Sequence, residues 1–213
     1  MLRCLLLTQS GHYLARTSPG GNITGFTSYE PGVASKWLEL LKGVAPQVAR
    51  VAIIYNPQTA PYAGSFLRSI ETAGPAFAIQ PIAMPIQDAG TIEKAIEALA
   101  RETNPSLLVL PDVTTTFHEK LIVKLAAQHR LPGIYPWRHF VTVGGLMCYA
   151  ADLPNLWRRA ASYVDRVLKG EMPANLPVQQ PTKFELVINL TTAKTVGLTI
   201  PASILSLADD LID

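Results

Sequence analysis

Between residues 51 and 149, short apolar runs alternate with longer amphipathic segments, and this alternation leaves few folds open. Residues 51–55 (Val-Ala-Ile-Ile-Tyr) form a continuous apolar run closed by Asn56-Pro57. Such a run suits a parallel strand buried on both faces. A helix is predicted over 62–73, then a strand over 78–84 that Pro81 confines to a sheet edge or a bulge. The spacing of Ile92, Ala95, Ile96 and Leu99 predicts a helix over 91–102 with Thr91 near its N-cap. A third strand over 107–110 ends at Pro111-Asp112, a helix follows over 117–129, and two further strands are expected at 133–135 and 145–149. Strands that alternate with helices make right-handed βαβ units and a parallel sheet. Together with a helix over 33–44, marked by Val33, Trp37, Leu40, Leu41 and Val44 and stopped by Pro46, residues 30–149 read as one complete doubly wound α/β lobe.

The flanks are less regular. Residues 1–18 show no sustained period, and Pro19-Gly20-Gly21-Asn22 is a turn cluster leading into a short strand-like piece. After the lobe come a helix over 156–168, a loop over 170–181, a strand over 184–190 and a last helix over 202–211. This tail has no sheet of its own, so its apolar face must pack on something else.

Composition narrows the function. A net charge of +2 over 213 residues provides no basic field, which argues against nucleic acid as the main partner. No run of about 18 apolar residues exists, so no membrane insertion is expected. Arg3 is followed by only Cys4-Leu5-Leu6-Leu7 before polar residues, too short for a secretory signal; a chain starting there is expected to stay in the cytoplasm. Cys4 and Cys148 form no metal or redox spacing, and the four histidines (His12, His118, His129, His139) form no i,i+3 or i,i+4 pair.

Catalytic signatures are missing as well. Ala63-Gly64-Ser65-Phe66 does not make a nucleophile elbow, and the glycines at 20, 21 and 25 lack the lysine of a phosphate loop. No catalytic residue, metal or cofactor is expected, and the chain is read as a non-enzyme. The strand ends are more informative, because open α/β sheets bind ligands outside the carboxyl ends of their strands. Tyr55-Asn56, Asp112 with Thr114-Thr115-Thr116, Tyr135 with Trp137-Arg138, and Tyr149 fall there. Aromatic walls with a few directed polar groups suit a small-molecule pocket. The plainer alternative is that Asn56 and Asp112 only cap helices or make turns.

Several stretches resemble the ABC-transporter substrate-binding family, in its tryptophan- and tyrosine-type branch. They include residues 19–27 (PGGNITGFT), 38–42 (LELLK), 51–57 (VAIIYNP), 130–132 (RLP), 144–147 (GGLM), 158–161 (RRAA) and the run 176–201 with PTKFELVIN at its centre. The resemblance implies a type I periplasmic-binding-protein fold: two Rossmann-like lobes joined by crossing strands. On that template residues 19–29 are a crossing strand and hinge, 30–149 the complete lobe, and 150–213 the C-terminal part of the other. Residues 1–18 are unassigned and match nothing in the template, which implies a truncated start, an incomplete first lobe and self-association through it. The resemblance further implies a small, amino-acid-like solute as ligand, an ABC permease as partner and a periplasmic location. Where it agrees with the strand-end argument, the ligand-binding residues are Tyr55, Asn56, Asp112, Thr114, Tyr135, Gly145 and Tyr149. The competing functions are a non-functional truncated remnant and the sensor core of a LacI-type regulator, for which residues 1–18 leave no room for a helix-turn-helix.

Overall fold

The computed structural model describes residues 3–6, 22–28 and 30–213. Its strands are β1 (Arg3–Leu6), β2 (Ile23–Phe26), β3 (Arg50–Tyr55), β4 (Gln80–Pro85), β5 (Pro105–Val109), β6 (Gly133–Tyr135), β7 (Met147–Ala151), β8 (Phe184–Asn189) and β9 (Asp210–Ile212). Its α-helices are α1 (Ala34–Val44), α2 (Ala63–Ala73), α3 (Ala89–Leu99), α4 (Val113–Phe117), α5 (Glu119–Gln128), α6 (Arg138–Thr142), α7 (Leu153–Leu168), α8 (Leu190–Thr195) and α9 (Ala202–Leu205). The chain forms two compact units, one of Pro31–Ala150 with Glu185–Asp213, the other of Met1–Glu30 with Ala151–Phe184. It passes from one to the other after Glu30, after Ala150 and after Phe184.

In the larger unit the strand order is β4-β3-β5-β6-β7-β8-β9. β3 pairs in parallel with β4 on one side and β5 on the other, and β5, β6 and β7 continue in parallel. Asp152 N–H donates to the Lys183 carbonyl at one end of the β7–β8 pair and Asn189 N–H to the Leu146 carbonyl at the other, so β8 runs antiparallel to β7. β4 is the edge strand, which is where Pro81, lacking an N–H, can sit without breaking a ladder on both sides. Alternate residues of β3 and β5 explain the layering. Ala52, Ile54, Leu107 and Val109 join one core cluster with Ile92, Ile96 and Leu99 of α3, Ile122, Val123 and Ala126 of α5, and Phe140 of α6. Val51, Ile53 and Leu108, which point the other way, are buried as well. On that side α1 packs on α2, with Trp37 stacked on Phe66 at 5.6 Å.

The smaller unit is organised around α7. Asp152 caps that helix by accepting from Asn155 N–H, and Leu156, Tyr163 and Val167 bury one face with Phe26 of β2 and Leu176. Burying such side chains is worth about 1.5–3 kcal/mol each. Tyr163 Oη donates to the Pro177 carbonyl at 2.8 Å, the Arg159 guanidinium lies 5.3 Å from the Phe26 ring centre, and residues 25–27 exchange main-chain hydrogen bonds with Gln179.

Three expectations are corrected. Residues 185–213 belong to the larger unit, where β8 and β9 extend the sheet, so only residues 151–184 of the expected tail pack with β2. The helix expected over 202–211 stops at Leu205, and residues 210–212 form a strand parallel to β8. The helix expected over 117–129 is two helices broken at His118, because Asp112 starts a turn earlier as the N-cap of α4. Asp88 is the N-cap of α3, and Thr91, near the N-cap as expected, completes a capping box. β1, within the stretch where no element was expected, pairs in parallel with β2.

Candidate functional site

Because β3, β5, β6 and β7 are parallel, their carboxyl ends share one edge of the sheet. Tyr55 closes β3 there and Asn56 follows it into a turn, with its side-chain carbonyl accepting from Gln58 N–H at 2.9 Å. Beside it Asp112 ends the β5 connection and starts α4. Asp112 is 3% exposed, yet its carboxylate is fully engaged. It accepts from Asn56 N–H at 2.9 Å, from Thr114 N–H at 3.2 Å and from the Thr59 hydroxyl. Asn56 Nδ2 donates to Thr114 Oγ1 at 3.0 Å, and the hydroxyls of Thr59 and Thr114 lie 3.1 Å apart. Tyr62 Oη reaches the Pro111 carbonyl from the start of α2. Two βα connections, more than fifty residues apart in sequence, are thus locked together by a buried polar lattice. A buried network whose members are all satisfied rigidifies what it holds.

The structure therefore brings Tyr55, Asn56, Asp112 and Thr114 together. The functional capacity of Asn56 and Asp112 goes largely into the fold, which is the plainer role that the sequence left open for them. Tyr149, half-buried on β7, lies on the same sheet, and its main-chain carbonyl accepts from the Trp37 indole N–H at 2.8 Å.

Tyr135 is not brought to the rim. Its ring is 2% exposed and stacks on Phe140 at 5.5 Å inside the core cluster, and burial alone pushes its phenol well above the usual tyrosine range. Gly145 serves that packing: a Cβ there would lie 2.7 Å from the Phe140 carbonyl and 2.9 Å from the Tyr135 ring. Gly144, at φ +108°, adopts a backbone that side chains disfavour. The Gly-Gly pair is thus explained by close approach and turn geometry.

One surface feature at this edge was missed. α4 begins there, and it leaves Val113 57% and Phe117 82% exposed, one turn apart on one face. Its signal in the sequence is a pair of apolar residues at i and i+4 after Asp112, ahead of the helix expected over 117–129. Elsewhere, an open groove of about 470 Å³ runs between the start of α1 and one face of α2, lined by Ser35, Ser65, Arg68, Ser69 and Thr72. It lacks aromatic walls. Cys148 is buried, with its thiol pushed up to about 12 by desolvation. Among the described residues no group of three or more His, Cys, Asp or Glu side chains could hold a metal ion.

Residues 14–212 match the profile of the ABC transporter substrate binding protein family. The chain belongs to that family. A curated relative is the tyrosine-binding protein of Clostridioides difficile (strain R20291), 24% identical over 190 residues, which are 89% of this chain and 54% of the relative. Among solved structures, a conserved domain protein from Vibrio cholerae O1 biovar El Tor superposes with a TM-score of 0.82 at 26% identity, over 91% of this chain and 64% of that one. The ABC domain in complex with L-Trp from Streptococcus pneumonia has a TM-score of 0.83 at 24% identity, over 92% and 67%. The chain thus spans roughly half to two-thirds of the length of these relatives. The fold is that of type I periplasmic-binding proteins. ABC substrate-binding proteins bind small solutes and work with transporter components; they are not catalysts, and the LacI-type alternative is not favoured.

Proposed function

We propose that the carboxyl edge of β3, β5 and β7 is one wall of a solute site, and that the solute is a small amino acid with an apolar or aromatic side chain, captured in the periplasm for an ABC permease. The observation that carries this reading is the buried Asn56–Asp112–Thr114–Thr59 lattice, placed where α/β sheets bind ligands. It fixes two connections that carry the half-buried Tyr55 and the exposed apolar face of α4. In this arrangement Tyr55, Tyr149 and Phe117 enclose the apolar part of the solute, and Thr114 hydrogen-bonds a polar group. Asn56 and Asp112 act by holding these groups in place. Gly145 and Tyr135 act further back, by packing the core beneath the edge. The names of the relatives, a tyrosine binder and an L-Trp complex, support the choice of solute.

Calorimetric titration with a panel of amino acids tests this. Saturable heat with aromatic members is expected, weakened about tenfold or more in Phe117→Ala, which removes one enclosing aromatic. Phe117 is exposed, so the variant keeps the fold. Equal affinity in wild type and Phe117→Ala, or a response to sugars alone, would remove this reading.

A further inference from the structure

Two main-chain carbonyls at the carboxyl edge of the sheet are gripped by side chains of α1 and α2. Trp37, near the start of α1, donates its indole N–H to the Tyr149 carbonyl at 2.8 Å. Tyr62, which leads into α2, donates its hydroxyl to the carbonyl of Pro111, the residue before Asp112. Phe66 joins the two. Trp37 stacks on it at 5.6 Å with the ring planes 12° apart, and Tyr62 meets it edge-on at 6.2 Å. Trp37 is 4% exposed and Phe66 1%, so these rings are part of the close-packed interior, which transmits strain instead of absorbing it. Tyr149 is where such a grip matters. Successive carbonyls of a strand point to opposite neighbours, and that of Leu146 is bonded to Asn189 N–H at the end of β8. The Tyr149 carbonyl, three residues on, therefore points to the β6 side. There the pairing of β7 with β6 stops at Cys148, so the Trp37 indole takes hold of the strand beyond the end of that ladder.

We infer that Trp37 is a positioning residue of the solute site, an inference that rests on the function proposed above. Through its N–H and the Phe66–Tyr62 ladder it fixes Tyr149 on β7 relative to the Pro111–Asp112 end of the β5 connection. The two sides of the site thereby keep a set spacing. Trp37 is itself buried and acts through Tyr149, not on the solute. Solute that presses on Tyr149 therefore perturbs the indole hydrogen bond. Loss of the N–H loosens the site without removing any group that touches solute.

The indole N–H resonance of Trp37, followed by NMR as L-tyrosine is added to the isotope-labelled full chain, tests this. It is identified by its disappearance in Trp37→Phe. It is expected to shift and to saturate together with the backbone resonances of Tyr55 and Tyr149. Trp37→Phe keeps an aromatic ring beside Phe66 and deletes the donor, and should weaken L-tyrosine binding about three- to tenfold, the worth of one hydrogen bond. Leu41→Val, an apolar exchange on the buried face of the same helix, should bind as wild type does. The positioning role alone would be overturned by a Trp37 resonance that stays still while Tyr55 and Tyr149 shift. Wild-type affinity in Trp37→Phe, or an equal loss in Leu41→Val, would overturn it too. Absence of any shift at Tyr55 and Tyr149 would overturn the site itself, and the positioning role with it.

Discussion

At the residue scale, Asp112 shows how much depends on one buried carboxylate. It accepts from Asn56 N–H, Thr114 N–H and the Thr59 hydroxyl, so Asp112→Ala strands several donors in a site that water barely reaches. A buried unsatisfied group costs about 1–3 kcal/mol, and urea unfolding should show a loss of at least that size. Gly145→Ala tests the opposite error, too much volume. Its Cβ would press on the Phe140 carbonyl and the Tyr135 ring, and overpacking of this kind costs about 1–3 kcal/mol, read as a lower melting temperature. Both residues were visible in the sequence as site candidates; their partners were not. Asp112 and Asn56 meet across the sheet through pairing that local pattern cannot reveal. Tyr135 ends its strand like Tyr55, but its ring turns inward, into space left free by Gly133 and Gly145.

At the element scale, the helices and the central strands were legible, because they carry their own periodicity and are buried where they repeat. β3, flanked on both sides and buried along its length, lies within two residues of its expected bounds. β4, which Pro81 confines to an edge or a bulge, is at the edge. Hydrogen exchange should therefore be slowest in β3 and β5 and faster in β4. Comparable protection in all three would argue against this strand order. β9 was not legible: three residues acquire strand geometry only from β8 beside them. The cap of α7 allows a pH test. Asp152 is held below the usual carboxylate range by the Asn155 N–H and by Lys183. A depressed native pKa stabilises above the unfolded value, near 3.8, and that contribution is lost as pH falls through the lower native one. Asp152→Ala should thus be less stable than wild type at neutral pH, and the gap should close in acid below about pH 4.

At the scale of the whole molecule, the chain combines a seven-stranded, mostly parallel sheet with a smaller unit built on one helix, and it passes between them three times. The fold family was legible from motifs spread over the chain, and the profile match over residues 14–212 agrees with it. The assignment of residues 185–213 was not legible, because a strand pattern alone does not say which sheet it joins. We propose that solute contacts lie on the carboxyl edge of the larger unit. Backbone NMR shifts on titration with L-tyrosine or L-tryptophan test it most directly, because they register weak as well as tight binding. Saturable shifts are expected at residues 55–59, 112–117 and 149, with the groove of Ser35, Ser65 and Arg68 unaffected. Shifts centred on that groove, or none at saturating amino acid, would contradict it.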